Sequence, residues 1–437
     1  MEPYRLTATQ AQKLIQSNEL TVESYARSLL SRIDERDAAV HAWVYLNRDA
    51  VLDQARKLDA IPPEKRGPLH GVPIGVKDVI YTKDMPTEHN SPLYKNSNVP
   101  VDAASIAILR AAGALIFGKT TTTEFAATTI GPATTNPHDP ARTPGGSSSG
   151  SGAAVADFQV PISLGTQTGG STIRPGSFNG VYALKPTWGA VSREGQKIYS
   201  LTLDTLGIFA RGVQDLKLLS GVLGIRDDVS PTRFELKGAK FGMVKGPVWG
   251  KAGPGTVNAM EKAKTLLEEH GATVEEVTLP AEFDKVPAWH STIMACDGRT
   301  AFLSEYATDK TLIHESLIQH VKNSTGLTHR QELAAFDGIA ALRPKIDEIS
   351  NTYAALITPS IPDEAPLGQE STGSAAFNGM WTALHVPVIN VPGFQGENGM
   401  PVGVSLVTSR FRDQRLLEVA EAVGEVFAEK GGWRSAL

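Results

Sequence analysis

Cysteine is nearly absent from this chain of 437 residues, with Cys296 the only one. A single thiol excludes an internal disulfide and any metal site built from several cysteines. Ten histidines are present, but none fall in an HExxH or comparable spacing, so no metal site is expected. Long apolar runs are missing too. No segment approaches the roughly 18 uninterrupted apolar residues of a membrane helix, and Met1-Glu2-Pro3-Tyr4 lacks the basic-then-apolar pattern of a secretory leader. The expectation is a cytoplasmic protein without membrane contact. The terminal Ser435-Ala436-Leu437 resembles the Ser-Lys-Leu peroxisomal address but lacks its lysine. Basic blocks are also lacking, and the 42 Lys and Arg against 47 Asp and Glu leave a net charge of −5, so nucleic acid is not an expected partner.

Charge is scarce in one place above all. Charged residues make up 20% of the chain, yet between Pro144 and Leu184 only Asp157 and Arg174 are charged. Such a stretch is expected to be buried, together with the serines of its two glycine turns, Gly145-Gly146-Ser147-Ser148-Ser149-Gly150 and Gly169-Gly170-Ser171. Buried hydroxyls need partners, and glycines let backbone N–H groups crowd around a small polarised centre, as acyl transfer requires.

Around this stretch helix and strand signals alternate, which predicts an α/β protein. Thr7-Ala8-Thr9-Gln10 fits a capping box, and a second helix is expected from Thr21 towards Ile33. Val72–Ile80 reads as a buried strand, Asp102–Ala112 as a helix stopped by Gly113, and Ala114–Phe117 as the next strand. Further strands are expected near Phe241–Val244, Thr273–Val277, Ala354–Ile357, Val386–Val391 and Val402–Val407, with helices from Thr256 to Gly271 and from Thr328 and Asp413. The weakly apolar Arg226–Lys237 and the loop Ser360–Ser374 are the candidates for a boundary or a mobile rim.

Two motifs match by letter only. Gly113 to Thr120 satisfies GxxxxGK[ST], but the four residues between its glycines are Ala-Leu-Ile-Phe, a strand rather than a phosphate-cradling loop. Gly146-Ser147-Ser148-Ser149-Gly150 satisfies GxSxG, but the approach from Pro140 to Pro144 cannot easily be the central strand that a nucleophile elbow needs.

Lys77 lies in Gly71-Val72-Pro73-Ile74-Gly75-Val76-Lys77-Asp78, among apolar neighbours that would strip water from its ammonium. Desolvation lowers a lysine pKa and can leave a neutral amine able to take a proton. Asp78 would oppose this only if it faced the same way, and adjacent strand residues face opposite sides. This segment, with Gly118-Lys119-Thr120 and Glu124-Phe125-Ala126, the two serine turns, Gly180 to Leu184-Lys185-Pro186-Thr187 and Met400-Pro401-Val402-Gly403-Val404, resembles the amidase signature family over nearly the whole chain.

The resemblance implies one large domain over 1–437, with a twisted mixed β-sheet covered by helices on both faces. N-terminal helices would fill about 7–60, a signature core about 70–215 and a C-terminal α/β portion about 238–437. It implies a Ser-cisSer-Lys triad with Ser171 as nucleophile, Ser147 as the serine after a cis peptide bond and Lys77 as base. Thr168, Gly169, Gly170 and Ser171 would form the oxyanion hole, and no cofactor would be needed. The implied activity is an amidase on small neutral or aryl/alkyl amides, with carbamates and esters also suited to an acyl-enzyme. The alternative is the glutamine-hydrolysing subunit of a tRNA-dependent amidotransferase, which works with partner chains.

Four departures stand out. Gln167 replaces the family's aspartate, Arg174 follows the nucleophile by three positions rather than two, Thr121 replaces an asparagine, and Asn179 replaces a cysteine or small residue. Segments outside the motifs, at Phe125–Ile130, Pro287–Thr300 and Phe377–Trp381, are expected to wall the pocket. Phe125, Ser148, Gln167 and Trp381 are taken as its substrate-binding residues. Whether the chain forms a homo-oligomer is left open by the sequence.

Overall fold

Apolar residues alternate along the strands and so define two covered faces. In the computed structural model, which describes residues 2–437, Ala355 and Ile357 enter one hydrophobic cluster while Leu356 between them enters another. Ile389 and Leu406 likewise lie in a different cluster from Val388 and Val407. A period of two with both faces apolar belongs to a strand buried between two helical layers.

Eleven strands form one sheet: β1 (Trp43–Tyr45), β2 (Pro73–Lys77), β3 (Leu115–Thr120), β4 (Ile162–Gln167), β5 (Tyr182–Lys185), β6 (Thr205–Ala210), β7 (Lys240–Met243), β8 (Thr273–Glu276), β9 (Ala355–Pro359), β10 (Val388–Gln395) and β11 (Pro401–Val407). Their order is β1-β3-β2-β4-β6-β5-β10-β11-β9-β7-β8. β2 runs parallel to β3 and β4, and β7 runs parallel to β8 and β9. The other neighbouring pairs are antiparallel. The β5–β10 pairing, with Leu184 opposite Ile389, joins the two halves of the chain into one domain of mixed α/β architecture.

Local signals place the elements well where capping chemistry is explicit. Thr7 and Thr328 each close a capping box with the glutamine three residues on. Thr21 caps a helix that continues to Val40, seven residues past Ile33. Gly271 takes φ +82° just beyond the helix Pro254–Glu269, a conformation that glycine adopts without cost. β3 runs on to Thr120, so the GxxxxGK[ST] letters lie mostly within a buried strand. Arg226–Lys237 and Ser360–Ser374 contain no helix or strand. β4, β5 and β6 have no clear signature in the sequence, which marks that region only as buried.

These strands position the site. β2 ends at Lys77 and its parallel neighbour β4 ends at Gln167. Both serine turns pack beside these carboxyl ends, where open α/β sheets present ligand-binding loops.

Candidate active site

Three lysines are fully buried: Lys77, Lys119 and Lys185. Burial lowers the pKa of each, to about 8 for Lys119 and about 7 for Lys185. Their partners separate them. Lys119 donates to the carbonyls of Ile80 (2.9 Å) and Pro86 (3.3 Å) and to Thr87 Oγ1 (2.5 Å), and it lies 3.4 Å from the Asp78 carboxylate. Lys185 donates to the carbonyls of Pro186 (2.8 Å) and Val386 (2.7 Å). Carbonyl oxygens only accept, so the carbonyls around these two lysines offer the amine no proton.

Lys77 Nζ instead meets three hydroxyls, Ser147 Oγ at 2.7 Å, Ser148 Oγ at 3.0 Å and Thr166 Oγ1 at 2.7 Å. The Ser148 proton is already given to the Thr166 carbonyl (3.2 Å), so Ser148 accepts from Lys77. A neutral amine fits this cage, with N–H bonds to Ser148 and Thr166 and a lone pair for the Ser147 proton. Burial pushes the Lys77 pKa well below 10.5; the Asp204 carboxylate opposes this shift and the Arg174 guanidinium adds to it. Asp78 faces the other way and pairs with Lys119.

The first serine turn is pinned by the second. Gly145 takes φ +81° and the Gly146–Ser147 peptide bond is cis. Arg174 donates through Nε to the Gly146 carbonyl at 3.1 Å, and its terminal nitrogens reach the carbonyls of Gly146 and Gly373. Ser148 N–H donates to the Ser171 carbonyl at 3.4 Å, which ties the two turns together.

The second turn is polarised. The carbonyl of Thr168 accepts from His290 Nε2 (2.9 Å), that of Gly169 from Thr382 Oγ1 (2.8 Å), that of Gly170 from Arg174 N–H (2.9 Å) and that of Ser171 from Ser148 N–H. The N–H groups of Gly169, Gly170 and Ser171 donate to no acceptor among the described residues. Every carbonyl is drawn away and these amides are left free, which suits a developing oxyanion. A side chain at 170 would clash, since its Cβ would sit 2.3 Å from Asn378 Oδ1. Ser171 Oγ also has no hydrogen-bond partner among the described residues. Of the two links in a Lys77–Ser147–Ser171 relay, the Lys77–Ser147 link is therefore the closed one.

Asp204, which carries no signal of its own in the sequence, braces this turn from behind. It accepts from Thr168 Oγ1 and from Tyr199 N–H (2.7 Å), and burial raises its pKa to about 6. His290 is likewise not marked as an individual residue, although it lies in the Pro287–Thr300 segment. Ser171, the Gly169–Gly170 turn, His290 and Arg174 all border a cavity of about 340 Å³.

A family model described as Amidase matches residues 25–417. The chain belongs to the amidase signature family. It is 32% identical to a Glutamyl-tRNA(Gln) amidotransferase subunit from Symbiobacterium thermophilum, over 96% of each chain. A solved structure described as an amidase superposes with a TM-score of 0.86 at 28% identity, covering 96% of this chain and 99% of the other. The peptide amidase of Stenotrophomonas maltophilia gives a TM-score of 0.82 at 27% identity, covering 100% and 99%. This chain is thus an amidase-family hydrolase.

Its departures from the family pattern now have physical accounts. Gln167 Oε1 accepts from the N–H groups of Thr172 (2.9 Å) and Ile173 (3.0 Å), while Nε2 donates to Thr382 Oγ1 (3.0 Å). Arg174 has carbonyl partners rather than a carboxylate. Asn179 Nδ2 donates to the carbonyls of Pro144 and Pro175, each at 2.7 Å, and Thr121 pairs with Thr134.

The expected pocket residues need correction. Phe125 is 1% exposed in a cluster with Tyr199 and Phe302, and Trp381 is 1% exposed in the core behind the sheet. Neither borders the cavity. The three expected wall segments do reach it, but through Ala126, Met294 and Met380 rather than through their aromatics. Large aromatic rings gain more by leaving water entirely than by lining a wet cleft. Gln167 and Ser148 are also buried away from the cavity, Gln167 as the brace of the second turn and Ser148 as a partner of Lys77.

Proposed function

We propose that this chain hydrolyses amide bonds, with Ser171 as nucleophile, Ser147 as relay and neutral Lys77 as base. What supports the reading most is the hydroxyl cage of Lys77, which gives a buried amine two acceptors and one proton donor. As Ser171 Oγ bonds to the substrate carbonyl carbon, its proton passes to Ser147 and the Ser147 proton passes to Lys77 Nζ. The carbonyl π electrons move onto oxygen, facing the free N–H groups of Gly169, Gly170 and Ser171. Collapse expels the amine, which takes a proton back through Ser147. Water then attacks the acyl ester, gives a proton to the same relay, and Ser171 leaves reprotonated as the carboxylic acid departs.

The acyl-enzyme chemistry accommodates small neutral, alkyl or aryl amides, and carbamates and esters as well. The test is a hydrolysis panel of aliphatic amides, anilides, carbamates, esters and glutamine, run beside Ser171→Ala. Turnover lost with Ser171 supports the reading; equal turnover by the variant refutes it.

A second reading, a glutamine-hydrolysing subunit working with partner chains, is favoured by the 32% identity to the amidotransferase relative. Against it, no Asp or Glu among the described residues lines the cavity to receive the ammonium of glutamine. Unaided hydrolysis of simple amides with glutamine inert favours the first reading; glutamine turnover favours the second.

A further inference from the structure

The cavity beside Ser171 is electrically one-sided. Among the described residues its charged lining is Arg174 and Lys251, and no carboxylate borders it. Arg174 is 6% exposed and spends its donors on the carbonyls of Gly146 and Gly373, forming no ion pair among the described residues. A guanidinium held in a dry site by neutral dipoles keeps its charge uncompensated and projects a positive potential into the adjoining cavity. Lys251, in the short turn Trp249–Lys251, also borders the cavity and forms no ion pair among the described residues. Asp204, the buried acid that braces the turn, is spent on Thr168 and Tyr199 and does not border the cavity.

We infer that the preferred substrates are amides carrying a carboxylate or another anionic group, with Lys251 as the residue that selects them. This rests on the reading of Ser171 as nucleophile. The reactive amide would sit at the free N–H groups of the second turn, and the substituent would extend towards Lys251. An ammonium substituent would meet two like charges and no partner, so cationic amides would be excluded.

Three chain-matched amides test this: succinamate, neutral butanamide and cationic 4-aminobutanamide. They are assayed with wild type, Lys251→Ala, Lys251→Glu and Ser171→Ala. Wild type is expected to favour succinamate over butanamide in kcat/KM by at least about fivefold, to favour 4-aminobutanamide least, and to lose this ranking as salt rises. Lys251→Glu should cut the succinamate-to-butanamide ratio by about tenfold or more, with the loss in KM, and Lys251→Ala should fall between. A wild-type ratio near one, or a ratio untouched by Lys251→Glu, overturns the inference while leaving the amidase reading intact. Turnover that survives Ser171→Ala overturns both.

Discussion

Lys77 Nζ stands 2.7 Å from Ser147 Oγ, and the proton on that contact can belong to either atom. Burial holds the amine well below its ordinary 10.5, so if Lys77 is the base as proposed, its neutral form does the work and activity should fall as pH drops through the lowered value. The alkaline side of the profile stays flat until other groups titrate. Lys77→Met should remove this acid limb and reduce kcat by about 10³-fold or more, measured as kcat and kcat/KM across pH.

The same burial carries a stability signature. Between the depressed folded pKa of Lys77 and 10.5, the unfolded chain binds the proton that the folded chain lacks, so this group's contribution to stability improves as pH rises. Lys77→Met has no such dependence. Urea midpoints at several pH values should show the variant gaining on wild type as pH falls from 10.5, and a constant gap would contradict the assignment.

Asp204 opposes the lowering of the Lys77 pKa and accepts from Thr168 and Tyr199. In Asp204→Asn the carboxylate is gone, so the Lys77 pKa drops further and the acid limb of kcat moves to lower pH. One of the two acceptor bonds is also lost, so maximal kcat should fall. A limb that moves to higher pH counts against electrostatic coupling.

Gln167→Glu restores the family's charge but disturbs a donor chain. Gln167 Nε2 donates to Thr382 Oγ1, whose own proton goes to the Gly169 carbonyl. A carboxylate cannot donate, so Thr382 would turn its proton to Glu and free the Gly169 carbonyl. The expected result is about a tenfold loss of kcat with KM little changed. An unchanged or improved kcat would show that the brace is not needed.

Trp381→Ala should act on stability. The side chain is 1% exposed in the core, so its removal costs about 3–5 kcal/mol, read as a lower denaturant midpoint. At temperatures where the variant is folded, the substrate ranking should match wild type, whereas a lining residue would change it.

Much of the site is legible in the sequence because its chemistry is local. Lys77 sits in an apolar strand, the serines sit in glycine turns, and both signals need only a few residues. The family resemblance then places the three in one constellation. His290, Thr382 and Asp204 are not legible as partners, since each meets the second turn through contacts distant along the chain, and a histidine or an aspartate alone carries no sign of its partner. Phe125 and Trp381 mislead differently. An aromatic in a wall segment has the same sequence signature whether it lines a cavity or turns into the core behind it, and only the packing decides. For the fold, capped helices and β-branched strands such as β10 and β11 are plain. β4, Ile-Ser-Leu-Gly-Thr-Gln, is hidden because its alternate residues are small or polar and serve the site rather than the core.

The central claim, that Ser171 is the atom acylated through the Lys77–Ser147 relay, is tested most directly by intact-protein mass spectrometry and peptide mapping after reaction with a slowly deacylating amide or carbamate. The account predicts a single adduct on Ser171 that forms more slowly as pH falls. An adduct that persists in Ser171→Ala or maps to Ser147 or Ser148 would contradict it.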